Sequence, residues 1–80
     1  MIFNYEEVIN MEYTVILHNA EEGGYWAEVP SLEGCFSQGE TVEETIANVR
    51  EAIQAHIKAL LEDGIQLPKD QIMILSRVAV

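Results

Sequence analysis

The chain has 80 residues and carries 14 acidic against 4 basic side chains, which gives a formal net charge of −10. This length allows one domain, with an arm at residues 1–11 and a core at residues 12–79. Because phosphate binding needs a basic surface, we expect no direct binding of nucleic acid, and a basic protein is the partner that this charge favours.

The first predicted strand covers residues 12–18, where side chains alternate between the two faces of a sheet. Tyr13, Val15 and Leu17 share one of these faces. Residues 19–24 are polar and end in two glycines, a composition that is typical of a hairpin loop.

Two more strands are predicted after this hairpin. The second covers residues 25–29 and ends at Pro30, which has no N–H to donate to a strand ladder. The third covers residues 35–38 between Gly34 and Gly39. We expect each of these glycines where a positive φ or a close backbone approach is required.

The clearest element is a helix predicted over residues 42–62. Thr41 and Glu44 have the spacing of a capping box, in which the Glu44 carboxylate accepts from the Thr41 amide. Gly64 follows as the left-handed residue that ends the helix. An apolar stripe at three- and four-residue spacing is formed by Val42, Ile46, Val49, Ile53, Ile57 and Leu60.

Residues 72–79 predict a last strand that is apolar on both faces. Such a strand is either covered on both sides or paired with another subunit. We therefore predict an oligomer interface at Ile72, Ile74, Leu75 and Val78. The fold class is α+β in the order β-β-β-α-β, with an antiparallel sheet and one long helix packed on one face.

No catalytic, metal or cofactor motif is recognisable, so we expect a protein that is not an enzyme. Cys35 lies at the start of an apolar strand and is interpreted as a small buried hydrophobic residue. A nuclease would need clustered carboxylates on adjacent strands, and of the strand residues only Glu12 and Glu28 qualify.

Cellular location is predicted from what the sequence contains. A single cysteine allows no intramolecular disulfide and favours a reducing compartment. The first residues have no basic segment typical of a signal peptide, and no apolar run reaches the ~20 residues that span a bilayer. We expect a cytoplasmic protein without membrane contact.

Trp26 is the most informative candidate for a binding residue. It alternates with Tyr25 and Ala27, so it lies on the sheet face that the helix does not cover, or else packs under the N-terminal arm. We predict partner contacts at Glu21, Glu22, Trp26 and Glu28.

The stretch from Tyr25 to Glu44 resembles the signature of the HicB-like antitoxin family. Its features are an aromatic strand ending in Val-Pro, then Leu-x-Gly-Cys, a Gly-x-Thr turn and a helix that opens with Glu-Glu. The resemblance extends over about residues 12–64. Thr45 is a departure, since alanine is frequent at that position in the family.

The resemblance implies a partial ribonuclease-H-like fold without working nuclease carboxylates, assembled as a homodimer or homotetramer. It also implies neutralisation of a small basic HicA-type toxin, which cleaves messenger RNA, by occlusion of the toxin's active site. DNA binding is not carried over, since the sequence ends after the last predicted strand. The alternative is a homo-oligomeric HicB-like protein of unknown role with no toxin partner.

Overall fold

Three short strands and one long helix make up the regular structure of the computed structural model, which describes residues 11–71 and 73–80. The predicted arm therefore lies outside the described residues except for Met11, and so does Ile72. In chain order the elements are β1 (Ile16–Asn19), β2 (Tyr25–Glu28), β3 (Phe36–Gly39) and α1 (Val42–Glu62). The predicted α+β class, with an antiparallel sheet followed by one long helix, is confirmed.

The three strands form one antiparallel sheet in the order β1-β2-β3. Leu17 lies opposite Ala27, which in turn lies opposite Ser37. Ala27 is fully buried, so this row faces the helix. Because side chains alternate along a strand, the neighbouring rows face away from the helix.

The predicted first strand was too long at its start. β1 begins only at Ile16, which pairs with Glu28, the last residue of β2. Beyond Glu28 the chain turns, since the Val29 amide donates to the Cys35 carbonyl and Pro30 has no amide hydrogen. The residues that precede Ile16 therefore have no strand partner on β2.

Helix α1 matches the predicted bounds, and the Thr41 hydroxyl accepts a hydrogen bond from the Glu44 amide at 3.1 Å. The predicted reciprocal bond was wrong by one residue, because the Glu44 carboxylate accepts from the amide of Glu40 at 3.4 Å. Gly64, with φ at +70°, is the left-handed residue that follows the Asp63 C-cap.

The core lies between the helix and the sheet. Helix α1 packs across β3 and β2, and its buried contribution is centred on Val49. Tyr13, Val15 and Leu17 pack against the edge of this core, as their shared face predicts. The fully or nearly fully buried members of the core cluster are Ala27, Val29, Leu32, Cys35 and Val49.

Gly39 permits a close approach between sheet and helix. A Cβ atom at this position would lie 2.7 Å from both the amide nitrogen and the hydroxyl of Thr45. Thr45 itself is fully buried, and its hydroxyl donates to the Thr41 carbonyl at 2.7 Å. The expected close approach is therefore found at Gly39, while Gly34 has the positive φ, at +80°.

The segment after the helix is anchored by Asp70. Its carboxylate accepts from the amide of Thr14 at 2.9 Å, from the Thr14 hydroxyl at 2.6 Å and from the Ser31 hydroxyl at 3.1 Å. The Tyr13 hydroxyl also donates to the Pro68 carbonyl at 2.6 Å. Burial, with a smaller effect of the Asp70 charge, raises the pKa of Tyr13 and keeps this donor protonated.

The predicted strand over residues 72–79 is not found in the part of it that the structure describes. Residues 73–80 have no strand pairing, and Ile74, Leu75 and Val78 are 87%, 77% and 78% exposed. An extended segment becomes a strand only when another strand receives its hydrogen bonds, and no described strand of the same copy does so. The alternation of apolar residues indicated a tendency to form a strand, but it did not identify the strand that would pair with this segment.

Candidate functional site

The sheet has an outer face that points away from helix α1. It is defined here by His18, Trp26, Glu28, Phe36 and Gln38. The register places His18, Trp26 and Gln38 side by side in one row, and Glu28 beside Phe36 in the next. All five alternate with helix-facing residues, so strand pairing alone brings them together.

An aromatic cluster occupies the middle of the outer face. The rings of Trp26 and His18 stack with centroids 4.1 Å apart and planes inclined by 15°. The ring of Phe36 lies 6.2 Å from that of Trp26 at 47°, and its side chain is 58% exposed. Stacking fixes the orientation of the indole, while Phe36 offers apolar surface to a partner.

Glu28 adds negative charge to this cluster. Its carboxylate oxygen lies 3.5 Å from Nε2 of His18, and both side chains are about one-third exposed. Nε2 is shielded from solvent, yet within the described part of the chain it makes no hydrogen bond of good geometry. The pair is thus a loose contact at a partly exposed surface, where an ion pair contributes little to folding.

Negative charge is concentrated in the part of the chain that forms the sheet. All four Lys and Arg residues lie at position 50 or later, where four acidic residues balance them. The whole net charge of −10 therefore resides in residues 1–49. Strands β1 to β3, their loops and the first turns of the helix contain no lysine or arginine.

Two predicted contact residues lie at one end of the outer face. Glu21 and Glu22 are exposed in the hairpin that joins β1 to β2. The hairpin begins one residue pair beyond His18 and Trp26, after Asn19 and Tyr25, so its acids lie near one end of the aromatic cluster. Glu40 belongs to the same end, since its Cα would lie 3.3 Å from a Cβ placed on Gly24.

The carboxylates that a nuclease would need are not brought together. Glu28 lies on the outer face, whereas Glu12 lines a groove beside the helix. Across residues 11–71 and 73–80, no three histidine, cysteine or acidic side chains converge as a metal site would require. Within the same residues, no helix is both long and apolar enough to cross a membrane.

Cys35 lies on the helix side of the sheet. The thiol is buried in the core cluster, as its sequence context predicts. Burial raises the pKa of the thiol, which disfavours the reactive thiolate. Cys35 is therefore separated from His18, the strand residue that could act as a base, by the sheet itself.

A second surface feature is the groove between helix α1 and the residues that lead into β1, called here the helix–β1 groove. It has a volume of about 930 Å³ and is lined by thirteen residues. Tyr13 and Val15 form one wall, and Ile46, Ile53 and Leu61 are on the other. The groove exists because the helix packs over β3 and β2 and leaves β1 uncovered.

The sequence model for the HicB_like antitoxin of bacterial toxin-antitoxin system matches residues 13–77. This chain belongs to the HicB-like antitoxin family. It is 45% identical over 60 residues to UPF0150 protein Ta0767 of Thermoplasma acidophilum, covering 75% of this chain and 87% of the relative.

Two solved structures share the fold of this HicB-like chain. The N-terminal domain of the Burkholderia pseudomallei antitoxin HicB is similar with a TM-score of 0.66 and 33% identity, over 78% of this chain and 73% of that one. A chain of a HicA3 and HicB3 toxin-antitoxin complex is similar with a TM-score of 0.60 and 34% identity, over 70% of this chain. The HicB-like chain spans 64% of the length of that matched chain.

Sequence reasoning missed three members of the outer face in this HicB-like domain. His18, Phe36 and Gln38 were placed on strands but not in the candidate site. Their position beside Trp26 depends on the strand register, which the hairpin at residues 20–24 sets for His18 and the turn at residues 29–35 sets for Phe36 and Gln38. Counting outward from that hairpin pairs His18 with Trp26, so the glycine-rich loop was a usable signal.

Proposed function

We propose that this HicB-like domain neutralises a small basic HicA-type ribonuclease by covering the toxin's active site with its outer sheet face. The observation that carries the proposal is an aromatic cluster, His18, Trp26 and Phe36, set in a half of the chain that holds the entire net charge of −10. The family membership and the likeness to a chain of a HicA3 and HicB3 complex support it.

Charge selects the partner in this proposal. A surface with many carboxylates and no lysine or arginine attracts a basic protein and repels RNA, which the toxin must otherwise bind. Glu21 and Glu22 are exposed at the end of the outer face, where they can accept hydrogen bonds from lysine or arginine side chains.

The aromatic cluster supplies the affinity. Tryptophan is enriched among the residues that dominate binding energy, because a large rigid ring buries much apolar area at little entropic cost. Trp26 is held by its stack on His18 before any partner arrives. Little conformational freedom is then lost on binding, which favours a tight complex.

The proposed action is steric and involves no catalysis by the antitoxin. A bound domain prevents RNA from reaching the toxin, and the free toxin concentration falls by mass action as the antitoxin accumulates. One domain blocks one toxin, so inhibition should be stoichiometric rather than catalytic.

Titration of a purified HicA-type toxin with the intact chain tests the proposal. RNA cleavage should fall linearly with added protein and stop near one domain per toxin, and a complex should be resolved by light scattering. The same titration with the double variant Glu21→Lys and Glu22→Lys, which reverses the charge at the hairpin, should show poor inhibition. Absence of a complex with a toxin that cleaves RNA would reject the proposal.

The second candidate is a homo-oligomeric HicB-like protein that has no toxin partner. The exposed apolar residues Ile74, Leu75 and Val78 favour self-association, which both candidates share. The toxin titration separates the two, because only the first candidate predicts inhibition of RNA cleavage.

A further inference from the structure

His18 lies between the aromatic and the acidic parts of the outer face. Its imidazole stacks on Trp26 with ring centroids 4.1 Å apart, and its Nε2 lies 3.5 Å from a carboxylate oxygen of Glu28. We propose that His18 and a basic side chain of the toxin compete for the Glu28 carboxylate, so that protonation of His18 weakens toxin binding. This inference rests on the proposed function and adds a regulation of the same surface.

The contact between His18 and Glu28 depends on the charge of the imidazole. Nε2 is shielded from solvent, and among the described residues it has no hydrogen-bond partner. A small rotation of either side chain would bring Nε2 within hydrogen-bond distance of the carboxylate, which is 3.5 Å away. A neutral imidazole carries a hydrogen on one nitrogen, whereas a protonated imidazole donates from both. Protonation of either tautomer therefore lets Nε2 donate to Glu28, and the opposite charges strengthen that bond.

The charged groups around His18 are carboxylates. Strand β2 contributes Glu28 to the outer face, and the β1–β2 hairpin contributes Glu21 and Glu22 near one end of the aromatic cluster. Strand β3 has only uncharged side chains, and residues 1–49 contain no lysine or arginine. Helix α1 packs on the opposite side of the sheet, so its charged side chains do not face His18. A proton on His18 therefore adds a positive charge to a surface whose other charges are negative.

A basic side chain of the toxin needs the same carboxylate. Glu28 is about one-third exposed and lies one row from Trp26, so a lysine or arginine that packs beside the aromatic cluster can reach it. While His18 is neutral, Glu28 keeps its full charge for that side chain. Once His18 is protonated, the carboxylate is already paired within the antitoxin. The two charge states of His18 thus differ in their affinity for a basic partner.

The coupling between proton and toxin is reciprocal. If a proton on His18 lowers the affinity for the toxin, the toxin lowers the affinity for that proton by the same factor, and binding releases it to solvent. Histidine side chains change charge between about pH 5 and pH 8, whereas ordinary carboxyl groups stay ionised above about pH 5.5. Toxin binding should therefore weaken as the pH falls through this range, by at most about tenfold per pH unit for one proton.

Tryptophan fluorescence of the free chain measures protonation of the stack. The chain contains one tryptophan, and its ring is the one that stacks on His18. Acidification from about pH 8 to pH 5.5 should lower its emission, because a protonated imidazole quenches an indole that it contacts. His18→Phe keeps an aromatic ring in the stack but binds no proton, so it should lose this response. His56→Gln, which removes the histidine on the helix, is the matched control and should keep it. A response that persists in His18→Phe would overturn the proposal.

The Kd for a purified HicA-type toxin, measured by calorimetry at about pH 7.5 and pH 5.5, tests the coupling to binding. The wild-type chain should bind several-fold more weakly at the lower pH, beyond any change seen with His18→Phe, which reports the titrating groups of the toxin itself. His18→Gln repeats the comparison with a smaller polar side chain, and helical circular dichroism shows that each variant is folded. An equal pH dependence in wild type and both His18 variants would overturn the proposal.

Glu28→Gln assigns the effect to the carboxylate. In this background the substitution His18→Phe should change the pH dependence of Kd much less than in the wild-type chain, because the group for which imidazole and toxin compete is absent. An equally large change in both backgrounds would mean that the imidazolium acts on the toxin directly, and competition for Glu28 would be rejected. A complex whose Kd shows no contribution from His18 refutes this inference alone. Absence of a complex at both pH values rejects the proposed function, and this inference with it.

Discussion

The indole of Trp26 stacks on the imidazole of His18 across the β1–β2 pair, with ring centroids 4.1 Å apart. Cross-strand stacking of this kind stabilises the sheet and at the same time presents a flat apolar surface on the outer face. Glu28 lies 3.5 Å from the same imidazole, so the aromatic surface has an acidic border. A partner that fits this face should therefore combine an apolar patch with basic side chains.

Replacement of Trp26 by alanine should weaken toxin binding by about 2 kcal/mol, which is roughly thirtyfold in Kd. The cost arises because the central ring of the contact is lost. Val42→Ala is the matched control, since Val42 is a partly exposed apolar residue on the helix. Isothermal titration calorimetry with a HicA-type toxin measures the Kd of both variants. Equal effects of the two substitutions would place the contact elsewhere.

Gly39→Ala should destabilise the fold by about 1–3 kcal/mol, because the added methyl group would lie 2.7 Å from the Thr45 amide nitrogen. Backbone at this contact cannot move without displacing the first turn of the helix. Urea unfolding measures the change. Gln38→Ala is the control on the same strand, since its carbonyl would keep the hydrogen bond from Asn48. If Gly39→Ala left the free energy of unfolding unchanged, the helix would have to shift freely to make room for the methyl group.

Signals between residues close in sequence predicted the helix, whereas the contacts of the segment after the helix depend on residues far away in the sequence. The residues from Thr41 to Gly64 contain a cap, an apolar stripe and a left-handed stop, all of which act within one or two turns. Contacts of Asp70 with Thr14 and Ser31 span 56 and 39 residues and have no such signal. Residues 73–80 show this limit most clearly, because their alternation of apolar residues predicts a strand but does not identify the strand that would pair with them.

Asp70→Asn should lower the free energy of unfolding at neutral pH and make it depend less on pH in the acidic range. Hydrogen bonds from the Thr14 hydroxyl and amide hold the pKa of Asp70 below its ordinary value of 3.8. A lowered folded-state pKa stabilises the fold fully above the ordinary value, and the contribution is lost as the pH falls through the folded-state value. The difference between wild type and Asp70→Asn should therefore shrink on acidification.

Urea unfolding between about pH 6 and pH 2 measures this difference, since ordinary carboxyl groups titrate near pH 4. Glu51→Gln is the control, because the Glu51 side chain is exposed on the helix. A constant gap between wild type and Asp70→Asn over the whole range would contradict a role for the charged carboxylate.

The thiol of Cys35 should react with a disulfide reagent far more slowly in the folded chain than in urea. It is buried in the core, and burial raises its pKa, so both access and thiolate fraction are low. The rate of release of the coloured thiol product at pH 8 measures the reaction. Comparable rates in the folded and unfolded chain would show that the sheet and helix separate readily at this point.

The double variant of Glu21 and Glu22 to Gln should slow association with a HicA-type toxin several-fold at low salt. These acids lie in the hairpin beside the aromatic cluster, where they attract a basic partner before contact. The control is the double variant Glu51→Gln and Glu62→Gln, because it removes the same number of negative charges from the helix. Stopped-flow measurements should show the difference shrinking toward about 1 M salt, where the Debye length falls to about 3 Å. Equal slowing by both double variants would mean that net charge, rather than its position beside Trp26, steers the encounter.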